Sequence, residues 1–266
     1  LAVVGSLIII VFVIMAIFAP IFATFDPNTT DLLNIRTSPN KVHILGTDDL
    51  GRDIFSRLLY GGRVSIAVGV ASMILQILIG VTIGVIAGYF GGLIDKIIMR
   101  IVDIIMCFPF FVIAIALAAV IGGSITNLVL IIGMLMWPVI TRIVRGEVLV
   151  TKQNEYILAA KALGFNTFEI IIHHIIPNII SAILVSSTLC IAQGILMEAT
   201  LSFLGLGVNP PTPSWGNMLV AAQNMSVLSH KWWMWIPAGM SVVLIVLSVN
   251  FVGDGLRDAL DVEKSV

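Results

Sequence analysis

Long stretches without a charged side chain constrain the fold of this chain more than any other feature. A helix needs about 20 apolar residues to cross the hydrocarbon core of a membrane. The stretches that reach this length are residues 1–25, 64–94, 104–141, 175–197 and 232–253. Only 11% of the residues are charged and 59% are hydrophobic, which is too apolar for a water-soluble domain. The sequence therefore predicts an all-α membrane protein.

The number of spans follows from the longest stretch, 104–141, which is long enough for two helices. Gly122, Gly123 and Ser124 form a tight turn in its middle. We therefore expect six transmembrane helices, with both termini on the same side of the membrane. Basic residues, which are usually more frequent on the cytoplasmic side, divide almost evenly between the two sides of the membrane. Lys264 lies on the side that would be cytoplasmic if both termini are. The distribution of basic residues therefore does not decide the orientation.

The chain begins at Leu1 rather than at a methionine, and we expect a short stretch to precede it. A cleaved signal peptide is the alternative explanation for the first apolar run, but no cleavage site with a soluble domain behind it follows.

The first long polar segment lies between the first two spans, at residues 24–62. It contains the turn residues Gly46 to Asp49 and then a pattern typical of an amphipathic helix, which we predict to be capped by Thr47 and to lie on the membrane surface. We accordingly divide the chain into 1–62, the first helix with this extracytoplasmic segment, and 63–266, a five-helix core.

The second polar segment, residues 142–178, has the pattern of a helix, a sharp turn and a second helix. The first helix is closed by Gly164, and Asn166 to Glu169 have the side chains of a capping box. We expect the second helix to end at Pro177. One stripe of the first helix consists of Tyr156, Ala159, Ala160 and Leu163. The small side chains of the two alanines would let another surface approach this stripe closely. An amphipathic helix resting on lipid or on its own bundle is the alternative.

This segment resembles the cytoplasmic EAA loop of ATP-binding-cassette importer permeases. The pattern of that loop is Glu-Ala-Ala, three residues, Gly, nine residues and Ile-x-Leu-Pro. Ala159, Ala160, Gly164 and Pro177 stand at the matching positions, whereas Leu158, His174 and Ile176 depart from the pattern. Glu155, one turn earlier, is a substitute for the missing glutamate.

Two further motifs extend the resemblance to the C-type subunit of the dipeptide, oligopeptide and nickel branch of these permeases. They run from Leu45 to Gly61 and from Glu198 through Gly207 to Gly216. The resemblance implies the type I importer permease fold and makes the loop with Gly164 cytoplasmic, with both termini in the cytoplasm of a bacterium or archaeon. The ATPase-coupling residues that it implies are Glu155, Tyr156, Ala159, Ala160, Leu163, Gly164 and Pro177.

The resemblance also implies the energy source and the partners. The chain has no Gly-x-x-x-x-Gly-Lys phosphate loop, so ATP must be hydrolysed elsewhere. We expect no cofactor in this chain, with ATP and Mg²⁺ bound by two ATP-binding subunits. The other expected partners are a B-type permease, an extracytoplasmic substrate-binding protein and membrane lipid, but no nucleic acid. The predicted function is import of di- or oligopeptides, with nickel or another small solute as the alternative.

Two other classes of protein are alternatives. An ion-coupled transporter needs acids within its spans, and only Glu198 qualifies; this residue is either a translocation-path contact or a structural carboxylate. A membrane enzyme has little support, because His173 and His174 lack the spacing of a zinc site and no catalytic motif is present.

The Pro-rich stretch 209–213 is either a docking ridge for the binding protein or a simple loop.

Overall fold

The computed structural model describes residues 1–263, with side chains described as far as residue 260, so Lys264 and the last residues of the predicted core lie outside it. The described part is all-α and has no β-strand beyond one isolated bridge. The helices, in chain order, are α1 Ala2–Ile17, α2 Ala19–Phe22, α3 Ile54–Phe90, α4 Gly92–Cys107, α5 Phe110–Ile121, α6 Ile125–Thr151, α7 Glu155–Ala162, α8 Thr167–Ile170, α9 Ile176–Phe203, α10 Trp215–Leu219, α11 Met225–His230 and α12 Ile236–Glu263.

The all-helical membrane architecture is confirmed, whereas the count of six spans is not. In the described part of the chain, four helical runs are long and apolar enough to cross a membrane: Ile54–Phe90, Ile125–Thr151, Thr167–Phe203 and Ile236–Leu260. The pair α4 and α5 makes a fifth only if both helices, bent by 80° at their junction, are one broken span. Helix α1 has 16 residues, which makes it about 24 Å long, less than the roughly 30 Å of a hydrocarbon core.

The polar segment before α3 differs from the sequence prediction in one respect. The helix begins at Ile54 and is capped by Asp53, whose side chain accepts from the Ser56 N–H at 2.8 Å. Thr47, the predicted cap, is buried in a bridge with Asp53. The predicted surface helix is therefore the first part of α3 and continues into the span without a break, because no residue there interrupts the helical hydrogen bonds. The boundary at 62/63 falls inside this helix.

Helix α3 packs against α6 along a row of glycines at helical spacing. A Cβ atom built on Gly80 would lie 2.6 Å from Cβ of Ile140, and one built on Gly88 would lie 2.7 Å from Cβ of Val148. Between them, a Cβ on Gly84 would lie 2.9 Å from Cβ of Val144. Branched side chains of α6 thus occupy the space that the Cβ atom of any other residue would fill. Such close approach is a common way for helices to associate in lipid, where burial of apolar surface gives no advantage.

Replacing Gly84 by alanine should destabilise the protein. The added methyl group overlaps Val144, and overpacking of this kind costs about 1–3 kcal/mol. Gly146→Ala on α6 is the matched control, because nothing lies within 4 Å of a Cβ there. Thermal unfolding in detergent should give a lower midpoint for Gly84→Ala and an unchanged or higher midpoint for Gly146→Ala. Equal midpoints would contradict the packing described above.

Candidate functional site

Helix α7 ends in a glycine turn that fixes the direction of the following chain. Gly164 has a φ of +86°, in the left-handed region that favours glycine. Its N–H donates to the carbonyl of Lys161 at 3.1 Å, and the N–H of Phe165 donates to the carbonyl of Ala160 at 3.2 Å. These two bonds form a Schellman motif, which satisfies carbonyls that the helix end would otherwise leave unpaired. The predicted stop at Gly164 is confirmed.

The two faces of α7 have different surroundings. Ile157 and Ala160 are buried in a cluster with Val148 of α6, with Ile175 just ahead of α9 and with Ile179 in the first turn of α9. The other face is open, and the exposed members of the predicted stripe are Tyr156, Ala159 and Leu163. The expectation that Ala160 belongs to the open surface is therefore wrong. An alanine at this position lets α7 lie close to its own bundle.

Apolar side chains continue the open face beyond the helix. Leu163 is 78% exposed, Phe168 is 72% exposed, and both Leu158 and Phe165 are about half exposed. Large apolar side chains clustered on an otherwise polar segment mark a contact with another surface. We refer to Tyr156, Leu158, Ala159, Leu163, Phe165 and Phe168 as the α7 surface. Phe165 and Phe168 are not part of the predicted stripe, although two phenylalanines beside the turn are a visible signal in the sequence.

The turn leads directly into a long helix. Asn166 and Glu169 form the predicted capping box, in which the Glu169 N–H donates to Asn166 Oδ1 at 2.9 Å and the Asn166 N–H donates to Glu169 Oε2 at 3.0 Å. From Thr167 the helical run reaches Phe203. The side chain of Asp or Asn at this position is well suited to start a helix.

Pro177 does not end this helix, contrary to the prediction. The segment Ile171–Ile175 is a π-helical turn, and the Ile176 N–H donates to the carbonyl of Ile171. The wider turn accommodates a proline ring that would clash with a carbonyl in a regular α-helix. Asn178 Nδ2 donates to the carbonyl of His174 at 2.6 Å, one turn earlier. Residues 167–203 therefore form one continuous rod.

Two lysines join the loop to the end of α3. Lys152 Nζ donates to the carbonyl of Gly88 at 2.7 Å, and Lys161 Nζ lies 5.1 Å from the ring centre of Tyr89. The first contact satisfies a carbonyl of the last helical turn, and the second is a cation–π interaction. The loop is thus attached to α3 as well as to α6 and α9, an arrangement that sequence spacing alone does not reveal.

Glu198 lies at the opposite end of the molecule from α7 and is fully buried. Its Oε2 accepts from Ser65 Oγ on α3 at 2.7 Å, and its Oε1 accepts from Ser202 Oγ at 2.7 Å. Ser65 Oγ in turn accepts from the Trp215 N–H at 3.1 Å, and Trp215 Nε1 donates to the carbonyl of Leu58 at 3.0 Å. The carboxylate is enclosed by α3, α9 and the start of α10, where its hydrogen bonds offset the cost of burial.

A cavity of about 490 Å³ lies at the same end of the molecule as Glu198. Its walls include Asp48, Arg52 and Arg57 from the first polar segment, facing Asn217 and Asn224. Asp48 Oδ2 lies 2.7 Å from Arg52 Nε and 3.5 Å from Arg57 Nε, so these charges are paired. Arg57 Nη1 also donates to the carbonyl of Pro27 at 3.0 Å, which ties the segment to the start of α3.

The histidines lie apart from one another, except for the neighbouring pair. His43 Nδ1 is 3.0 Å from Asp53 Oδ1, and His173 Nδ1 is 3.2 Å from the carbonyl of Glu169. His174 packs its ring against Phe165. Among the side chains that the structure describes, residues 1–260, no three His, Cys, Asp or Glu come together as a metal site would require.

Two family comparisons cover most of the chain. Residues 80–264 match the family described as the binding-protein-dependent transport system inner membrane component. Residues 1–39 match the N-terminal transmembrane domain of oligopeptide transport permease C. Together with the helices long enough to span a bilayer, these matches make the chain a multi-pass inner-membrane protein.

Three curated relatives align over 98% of this chain. The oligopeptide transport system permease protein OppC of Bacillus subtilis is 45% identical, and the alignment covers 85% of it. The dipeptide transport system permease protein DppC of Alkalihalophilus pseudofirmus is 43% identical with 85% covered, and the glutathione transport system permease protein GsiD of Shigella flexneri is 43% identical with 86% covered. The chain therefore belongs to the inner-membrane permeases of binding-protein-dependent transport systems, in the branch that carries the N-terminal domain of oligopeptide permease C.

Proposed function

We propose that this chain is the C-type permease subunit of an ATP-driven importer of di- or oligopeptides, and that the α7 surface binds an ATP-binding subunit. The observation that carries the proposal is a rigid helix whose inner face is buried in the bundle while its outer face exposes apolar side chains. The relatives named above, which carry peptide names, support the choice of substrate. Nickel import is the second candidate and has no histidine cluster to support it among the described residues.

The partners follow from the same proposal. Two ATP-binding subunits bind ATP and Mg²⁺, a B-type permease completes the pathway, and an extracytoplasmic binding protein delivers the solute. The family description, which names binding-protein dependence, supports the last of these. The charged cavity between Asp48 and Asn224 and the stretch 209–213 supply the surface on the binding-protein side.

The proposed topology has six spans of the type I permease fold, with both termini and α7 in the cytoplasm. Helices α1 and α2 together make the first span, and α5, which the chain enters after the 80° bend from α4, makes the third. The N-terminal unit then ends ahead of Ile54 rather than inside α3, because α3 is unbroken from Ile54 to Phe90. The core runs from α3 to the C-terminus and includes the coupling loop 142–178.

Coupling follows from the continuity of the loop with α9. When the ATP-binding subunits close, they displace α7, and the Schellman turn at Gly164 passes the movement to the capped helix that starts at Thr167. Because this helix continues through Pro177 to Phe203, a displacement at α7 moves the whole rod. Rocking of packed helices about a fixed site is a common switching motion in transporters.

Gly164→Val should uncouple ATP hydrolysis from solute uptake. A β-branched residue in the left-handed conformation costs about 1–2 kcal/mol and redirects the turn. Uptake in vesicles that contain the complete transporter should fall by about tenfold or more. Gly205→Val is the matched control, because Gly205 has a φ of +80° and nothing within 4 Å of a built Cβ. Normal uptake with Gly164→Val would contradict the proposed route of coupling.

Ala159→Arg should weaken binding of the ATP-binding subunit without unfolding the chain. Ala159 is exposed at the centre of the α7 surface, and a long charged side chain there would prevent close approach. We expect affinity to fall by about tenfold or more, as at the centre of other interfaces. The control is Gln153→Arg, which places the same charge at an exposed position ahead of α7. Copurification of both variants with equal amounts of ATPase subunit would exclude the α7 surface as the contact.

Glu198 supports the proposal as a structural carboxylate, since its oxygens are occupied by Ser65 and Ser202. Glu198→Leu should leave both hydroxyls without an acceptor and cost about 1–3 kcal/mol for each, whereas Glu198→Gln should cost less. Thermal unfolding of the complex without solute measures this difference. The predicted role as a translocation-path contact requires the opposite result, an unchanged unfolding midpoint with altered uptake.

A further inference from the structure

Helix α4 has two faces that differ in what they contact. On one face, Val102 is fully buried, and Asp95 and Asp103 pair with arginines of α6. On the other face Ile94, Ile97, Ile101 and Ile104 stand at intervals of three and four residues, each between 45% and 52% exposed. This spacing places them in one stripe along the helix.

The ion pairs fix the orientation of α4. Arg145 Nε and Nη2 donate to the two carboxylate oxygens of Asp95 at 2.5 and 2.6 Å, a bidentate arrangement. Arg142 pairs with Asp103 two turns further along α4. Because both acids of α4 are engaged on the α6 side, the helix cannot rotate to bury its isoleucine stripe against the bundle.

The charges that remain on the open side of α4 are positive. Lys96 and Arg100 are exposed, one turn apart, and border the isoleucine stripe. Neither pairs with an acid among the residues that the structure describes. The open side is therefore an apolar stripe edged by two cations, the composition of a helix that lies at the surface of a membrane containing anionic lipid.

The path of the chain agrees with this position. Helix α4 is bent by 80° relative to α5, so it cannot run parallel to a span that α5 enters. It begins directly after Phe90, where the long span α3 ends. Arg145 on Asp95 and Lys152 on Gly88 place the start of α4 at the end of the molecule that carries α7. The first turn of α5 adds the exposed apolar residues Phe111 and Val112.

We propose that α4 is an interfacial helix that binds anionic phospholipid, with the isoleucine stripe in the outer part of the acyl region and Lys96 and Arg100 at the lipid phosphates. Charge complementarity selects lipid as the occupant, because the stripe is bordered by cations and a membrane surface supplies the matching negative charge. This assignment does not depend on what the protein transports. In this position α4 determines how deep the end of α3 lies in the membrane. Through Arg142 and Arg145 it determines the depth of α6 as well.

The depth of the stripe can be measured with a nitroxide on Ile97→Cys in a Cys107→Ser background, in the complete transporter placed in phosphatidylglycerol nanodiscs. We expect high accessibility to oxygen and low accessibility to a water-soluble nickel chelate. The control is Leu33→Cys, a site 95% exposed in the first polar segment, where the chelate should have full access. Full access of the chelate at position 97 would overturn the proposal. Exclusion of both reagents, with a crosslink from position 97 to the second permease, would assign the stripe to a protein contact and also overturn it.

The role of the cations is tested by the double variant Lys96→Gln with Arg100→Gln. Its preference for spin-labelled phosphatidylglycerol over phosphatidylcholine should fall by about fivefold for each charge removed. Lys41→Gln with Lys231→Gln removes the same net charge from polar segments elsewhere and should leave the preference unchanged. An equal loss in both double variants would show a general charge effect and refute a site on α4.

Discussion

The close packing of α3 on α6 is the contact on which the rest of the structure depends. Gly80, Gly84 and Gly88 face Ile140, Val144 and Val148 at matching intervals, so the two helices are held in a single register. In a membrane this packing must come from shape, because lipid solvates apolar side chains as well as another helix does. A shift of α6 by one helical turn would keep two of these three contacts and would set Lys152 in place of Val148 against Gly88.

The register determines where the proposed coupling loop lies. Gly88 stands beside Val148, and one turn later Lys152 reaches back to the Gly88 carbonyl. Helix α7 therefore starts from a fixed point, and its inner residues Ile157 and Ala160 return to the cluster formed by α6 and α9. The α7 surface is thus a rigid part of the bundle. A rigid contact can transmit a displacement to α9, whereas a loosely attached loop would absorb it.

The two ends of α3 are held by different chemistry. At the end near α7, backbone and cation–π contacts join it to the loop. At the other end, Asp53 caps the helix, and the hydroxyl of Ser65 connects it to Glu198 and to the Trp215 backbone. The buried carboxylate is satisfied by hydroxyl groups rather than by a cation. The carboxylate joins three segments that are distant in sequence. Because its hydrogen bonds form only when these segments meet, they favour a single arrangement of the helices.

The sequence by itself determined the membrane architecture, the tight turn at Gly122 to Ser124, the helix stop at Gly164 and the capping box at Asn166. Each depends on hydropathy or on residues a few positions apart. Only the tertiary structure decided that Ala160 faces inward, that Glu198 is enclosed by Ser65 and Ser202, and that α4 is held to α6 by Arg145. It also showed that a π-helical turn carries the helix through Pro177. These features depend on groups brought together by the packing of helices, and local spacing along the chain carries no record of which helix faces which.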